Sequence, residues 1–181
     1  MKVNGKKYTS IWVEEGNRVF IIDQRWLPHQ FKLIELITLN DFLVSIRDMW
    51  VRGAPLIGVT AAFGFAKSMQ YDNSDKSLHE TKSLLLSTRP TAVNLHWAVK
   101  IMFDLLINVD RDSRQDIALI KAKEILTRDI LSNKEIGKNG HEIIKNIIDK
   151  KNTDKINILT HCNAGWLATV DWGTATSPIY Y

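Results

Sequence analysis

A single cysteine, Cys162, occurs in 181 residues. That excludes an internal disulfide and fits a reducing compartment, so a cytoplasmic protein is expected. No run comes near the ~18–20 continuous apolar residues of a membrane span. The opening Met1-Lys2-Val3-Asn4-Gly5 lacks the apolar core of a secretory signal. Prolines number four and glycines nine, and neither an internal repeat nor a low-complexity tract is present, which excludes a repeat array. The five histidines are scattered, and none has metal-ligand spacing from Cys162 or from another histidine, so no metal site is expected. The net charge of +4 is carried by dispersed lysines, with small clusters only at Lys6-Lys7 and Lys150-Lys151. Aromatic and basic residues do not interleave, so neither nucleic acid nor a membrane is expected as partner. The remainder is ordinary: 45% hydrophobic and 24% charged residues exclude wholesale disorder. The length suffices for one domain with a sound core, or two small ones.

Within that frame the hydrophobic period changes along the chain. Residues 8–25 alternate as two short antiparallel strands, with Glu15-Gly16-Asn17 as the turn between them. Phe31 to Leu36 adds a third strand. From Asn40 the spacing becomes helical, with Asn40 or Asp41 as N-cap of the first helix. Further helices are expected over 55–69, 77–86, 94–107, 115–130 and 133–148. An apolar run, Ile156-Asn157-Ile158-Leu159, then leads into Thr160-His161-Cys162-Asn163-Ala164-Gly165 and helix-compatible residues. Strand, small polar turn and helix is the arrangement that presents ligands at the carboxyl end of a parallel strand. The expected fold class is α/β. An α+β unit of short strands and helices covers 1–112, and connecting helices with the first strand of an incomplete Rossmann-like domain cover 113–181.

Three segments can carry chemistry. In Arg52-Gly53-Ala54-Pro55, Gly53 permits a tight turn and Pro55 suits the first helical position, which leaves free amides beside a guanidinium. Arg89-Pro90-Thr91-Ala92-Val93-Asn94 repeats the arrangement, with Thr91 or Asn94 as N-cap. Two arginines beside two helix starts could clamp one phosphate. A solvated arginine next to a loop proline is the plainer alternative, and His96 and Trp97 read as core or interface residues. Cys162 has two readings: an inert, buried small hydrophobe, or a thiol whose thiolate is stabilised by the helix start beyond Gly165. His161 points to the opposite face of a strand, so adjacency does not make a Cys–His pair.

Three ordered phrases carry a resemblance: Met49-Trp50-Val51-Arg52-Gly53-Ala54-Pro55, Arg89-Pro90-Thr91-Ala92-Val93-Asn94-Leu95, and Thr160-His161-Cys162-Asn163-Ala164-Gly165 with Gly173-Thr174-Ala175. The chain resembles the N-terminal half of the methylthioribose-1-phosphate isomerase family. That family is related to the alpha, beta and delta subunits of the exchange factor for translation initiation factor two. The resemblance implies a cytoplasmic, homodimeric aldose–ketose isomerase of methionine salvage, acting on a sugar 1-phosphate without metal or organic cofactor. It implies Arg52, Gly53, Ala54 and Arg89 as substrate-binding residues and Cys162 as the catalytic cysteine. An acidic aspartate, a glutamine and an Asn-Lys pair are implied beyond residue 181, so the chain reads as an N-terminal fragment. The alternatives are a related isomerase of ribose 1,5-bisphosphate and a non-catalytic regulatory subunit.

Overall fold

Short polar turns build the N-terminal layer. A computed structural model describes residues 1–153 and 155–181. β1 (Lys2–Val3) and β2 (Lys6–Lys7) form a small antiparallel pair. β3 (Ile11–Glu14) and β4 (Arg18–Ile22) form the expected hairpin, with Ile11 opposite Ile21 and Val13 opposite Val19. The reversal falls on Gly16 and Asn17, at φ 74 and 60, the left-handed region where these two residue types cost least. β5 (Leu33–Leu36) pairs antiparallel with the other edge of β4, Val19 lying opposite Leu36. Ile11, Val19, Ile21 and Leu36 are buried and turn their side chains toward the helices.

Among the described residues six α-helices follow: α1 (Leu39–Arg47), α2 (Ala54–Tyr71), α3 (Asp75–Thr88), α4 (Val93–Leu106), α5 (Arg114–Lys151) and α6 (Ser177–Tyr180). α2 packs against α1, α3, α4 and α5. Its sequence explains that position, since a helix apolar on every side is stable only when surrounded. Among its buried residues are Leu56, Val59, Phe63, Phe65 and Met69. The molecule is therefore mixed α/β, with small antiparallel sheets beside a helical body.

Four expectations are corrected. The N-cap of α1 is Thr38, two residues before Asn40. Its hydroxyl accepts from the Asp41 N–H while the Asp41 carboxylate accepts from the Thr38 N–H, so Asp41 closes a capping box from inside the helix. At α4 neither Thr91 nor Asn94 caps. The N-cap is Ala92, whose N–H donates to the Arg89 carbonyl at 3.0 Å. Third, the two helices expected over 115–130 and 133–148 are one helix of 38 residues. Asn133 does not break it, because its amide donates to the Asp129 carbonyl oxygen (2.9 Å) and carboxylate (3.1 Å) on the preceding turn. Beyond it, Gly137 and Gly140 are docking positions for α6: side chains there would overlap Ser177 and Pro178.

The fourth correction concerns residues 156–161, which are not a strand. Leu159 is 98% exposed. An alternating run becomes a strand only against a neighbour that takes its N–H and C=O groups, and no described segment lies alongside as one. No parallel sheet is present among the described residues, so the expected first strand of a Rossmann-like unit is not formed.

Candidate functional site

Residues 164–177 are irregular, yet they are fixed from three directions. The β layer holds one side: the Ser10 N–H donates to the Val170 carbonyl (2.8 Å), and the Ser10 hydroxyl to the Trp166 carbonyl (3.0 Å). Gln24, only 3% exposed, donates from its amide to the Leu167 carbonyl at 2.7 Å. Its backbone N–H donates to the Trp50 carbonyl at 2.9 Å, so one residue links the approaches to both Arg52 and Cys162. Beside it, Asp23 is fully buried and pairs with Arg25 at 2.6 Å. Burial pushes that carboxyl up, but hydrogen bonds from the Arg25 side chain and backbone outweigh it and hold it below the usual range. The Arg25 guanidinium in turn lies 4.3 Å from the centre of the Trp50 ring.

α5 holds the second side. The Asp129 carboxylate accepts from the Val170 N–H at 2.7 Å, and the Ser177 hydroxyl donates to the Asn133 carbonyl at 2.6 Å. Burial pushes the Asp129 carboxyl up, and the Val170 and Asn133 donors offset this only in part. The sign of the consequence follows directly. A carboxyl raised above its unfolded value binds its proton more tightly when folded, so its contribution is full below the unfolded value. That contribution is lost as pH rises through the folded one. Asp129→Asn removes the ionisation and keeps an acceptor for Val170. Wild-type stability is therefore expected to decline relative to the variant as pH rises above about 4. Urea midpoints of both proteins across that range measure it, and parallel profiles would refute it.

The third side is Gly53 itself. It is the N-cap of α2 at φ 93. A Cβ there would lie 2.5 Å from the Ala168 Cβ, and closer still to the Ala168 Cα and carbonyl oxygen. Only glycine admits both that φ and that approach. Pro55 is the second residue of α2 rather than the first. The Arg-Gly-Ala-Pro segment is thus seated directly on the loop that follows Cys162. The first turn of α4 joins from α2: a Cβ on Gly58 would lie 2.9 Å from the Asn94 carbonyl oxygen. The preceding Arg89–Ala92 turn is pinned by His96, whose Nε2 lies 2.8 Å from the Pro90 carbonyl. His96 is exposed, so it is a loop fastener rather than a core residue.

Arg52 and Ala54 are exposed, and Arg89 is half-buried. Arg18, Arg25, Arg47, Arg111 and Arg114 all pair with carboxylates. Among the described residues Arg52, Arg89 and Arg128 do not, which leaves their guanidinium groups available to an anion. Cys162 is exposed, at φ 68. The buried, inert reading of this thiol does not hold. Nor does the helix-start reading, because only a three-residue 3-10 turn, Trp166–Ala168, follows Gly165. A cavity of about 270 Å³ opens between the first turns of α2 and α4, the middle of α5 and Thr174. Among the described residues no group of His, Cys, Asp and Glu is placed to hold a metal ion, and no helix is long and apolar enough to cross a membrane.

Gln24, Asp129 and Ser10 were not legible as site residues. Their partners lie 143, 41 and 156 positions away, and no local pattern marks such pairs.

Comparison with known proteins places this geometry. The model of the initiation factor 2 subunit family matches residues 50–177. The chain is 54% identical over 181 residues to the methylthioribose-1-phosphate isomerase of Cereibacter sphaeroides, covering all of this chain and 49% of that protein. It is 50% identical over 182 residues to the corresponding isomerase of Escherichia coli O45:K1, covering 99% and 49%. The chain thus spans about half the length of the curated relatives it matches. Among solved structures, 5-methylthioribose 1-phosphate isomerase from Pyrococcus horikoshii superposes with a TM-score of 0.81 at 32% identity, over 95% of this chain and 48% of that one. The delta subunit of translation initiation factor eIF-2B from A. fulgidus gives 0.80 at 30%, over 96% and 50%.

Proposed function

The chain belongs to the initiation factor 2 subunit family, and we propose that it forms the phosphate-binding half of an aldose–ketose isomerase. The reaction is conversion of 5-methylthioribose 1-phosphate to 5-methylthioribulose 1-phosphate, in a cytoplasmic, homodimeric enzyme of methionine salvage. The observation that supports the reading is the close approach of Gly53 to Ala168, which seats the start of α2 on the loop that follows Cys162. The isomerases above, at 50–54% identity, support it over the regulatory reading, which rests on a neighbour at 30%.

The chemistry makes specific demands. Phosphate on the anomeric oxygen blocks the easy ring opening of a free aldose, so the site must assist opening and then move hydrogen from C2 to C1. Arg52 and Arg89 bind and orient the phosphate. Cys162 acts at the carbons as base, proton carrier or stabiliser.

The test is binding. Arg52→Ala and Arg89→Ala are each expected to weaken affinity for ribose 1-phosphate by about ten- to a hundredfold, the loss of a charge-assisted contact worth ~1.5–3 kcal/mol. Lysine at either position restores only part, because the planar fork is gone. Amide chemical-shift titration of the purified chain gives the affinities. Equal affinities in wild type and both variants would remove the clamp.

A further inference from the structure

The segment Gly173–Thr176 folds around a single carbonyl, that of Ala164. The Thr174 N–H and the Thr176 hydroxyl each donate to it at 3.0 Å, which uses both lone pairs of the oxygen. The Thr176 N–H adds a longer contact at 3.4 Å. Gly173 makes room for them: a Cβ there would lie 2.6 Å from the Thr176 Oγ1 and 2.7 Å from the Ala164 carbonyl oxygen. Ala164 is buried, and its own N–H donates back to the Cys162 carbonyl at 3.1 Å, closing a tight turn. Cys162 lies at φ 68, a left-handed conformation that a residue other than glycine keeps only where its surroundings impose it. The constraint comes from the residues that follow, since 156–161 form no strand and Leu159 is almost wholly exposed.

We propose that Thr176 is a positioning residue for Cys162: by fixing the Ala164 carbonyl it holds the thiol-bearing residue in its left-handed conformation. The inference rests on the reading of Cys162 as the reacting thiol and adds what keeps that thiol in place. Connectivity is the first argument. The tethers from the β layer and α5 reach Trp166, Leu167, Val170 and Ser177, and stop short of Ala164. Thr176 adjoins Ser177, whose hydroxyl is held on the Asn133 carbonyl of α5 at 2.6 Å. Its own hydroxyl therefore extends the rigid frame of α5 to the turn that carries Cys162. Side-chain type is the second. A threonine hydroxyl sits on a short, β-branched stem with few rotamers, so the donor it offers is fixed in direction. Chemistry is the third. A group that serves two adjacent sugar carbons must be placed closely, and a displacement of about 1 Å can cost on the order of a hundredfold in rate.

The experiment compares Thr176→Val, which keeps the shape and loses the donor, with Thr176→Ser, which keeps the donor. In the purified chain, amide heteronuclear NOE values of residues 162–165 are expected to fall in Thr176→Val, while those of Val170 and Ser177, held by α5, stay as in wild type. Thr176→Ser should match wild type throughout. In a polypeptide joining this chain to the remaining half of its relatives' length, Thr176→Val should lower kcat for 5-methylthioribose 1-phosphate about tenfold or more. KM should stay within about twofold, because the arginines that bind the phosphate are untouched, and Thr176→Ser should restore kcat. Thr176→Ala, which removes the donor and leaves no methyl in its place, carries both measurements should Thr176→Val fail to fold. Unchanged order at 162–165, an unchanged kcat, or a loss that Thr176→Ser shares overturns the positioning role and leaves the reading of Cys162 standing. Turnover that survives Cys162→Ser overturns that reading, and the positioning role with it.

Discussion

Gly53→Ala is expected to destabilise the protein by ~3 kcal/mol or more. Two costs combine. A non-glycine residue at φ 93 stores roughly 1–3 kcal/mol of backbone strain. The added carbon also overlaps the Ala168 backbone, which cannot rotate away as a side chain would. Gly16→Ala separates the two. At φ 74, with nothing within 4 Å of a built Cβ, it carries strain alone and should cost only ~1 kcal/mol. Urea unfolding of both variants gives the difference. A Gly53→Ala protein as stable as Gly16→Ala would mean that the 165–169 loop yields without cost.

Cys162→Ser is the second. Turnover of 5-methylthioribose 1-phosphate, measured by NMR, is expected to fall by about a hundredfold or more in a polypeptide joining this chain to the remaining half of its relatives' length. General acid–base contributions are typically worth that much, and an alcohol is far less acidic than a thiol. The fold should be unchanged, because the thiol is exposed and the exchange nearly isosteric. Turnover within threefold of wild type would take Cys162 out of the chemistry.

The hairpin could be read from sequence because its information is local: Glu15-Gly16-Asn17 between two β-branched runs leaves the chain little other choice. Likewise α2 was legible from Pro55 to Met69, since its small and apolar residues have no polar break. The long helix was misjudged at Asn133, whose preference for turns is real but is met here by the Asp129 carbonyl and carboxylate on the same helix. The residues 156–161 show the opposite failure. Their alternation is genuine, but a strand needs neighbours, and pattern alone does not supply them. The candidate site divides in the same way. Arg52, Gly53, Ala54, Arg89 and Cys162 stand out as short phrases, whereas the groups that seat those phrases stand out only in three dimensions. Gln24 opens a stretch that looks like a mere interruption after β4, yet it fastens that stretch to Trp50 and Leu167.

Gln24 and Ser10 also bear on how the molecule can be inherited. Each reaches from the β layer into residues 166–170 and holds main-chain carbonyls there. Main-chain acceptors carry no identity of their own, so residues 166–168 can vary while those bonds persist, provided the path of the backbone does not move. The hairpin, by contrast, cannot be lifted out as a module. Exchanged for a hairpin with another register, it would bring misplaced donors to the carbonyls of residues 166–170. Any single crossover between residues 24 and 166 parts these donors from their carbonyls, so recombination between relatives should succeed only where both parents share the backbone path of residues 166–170.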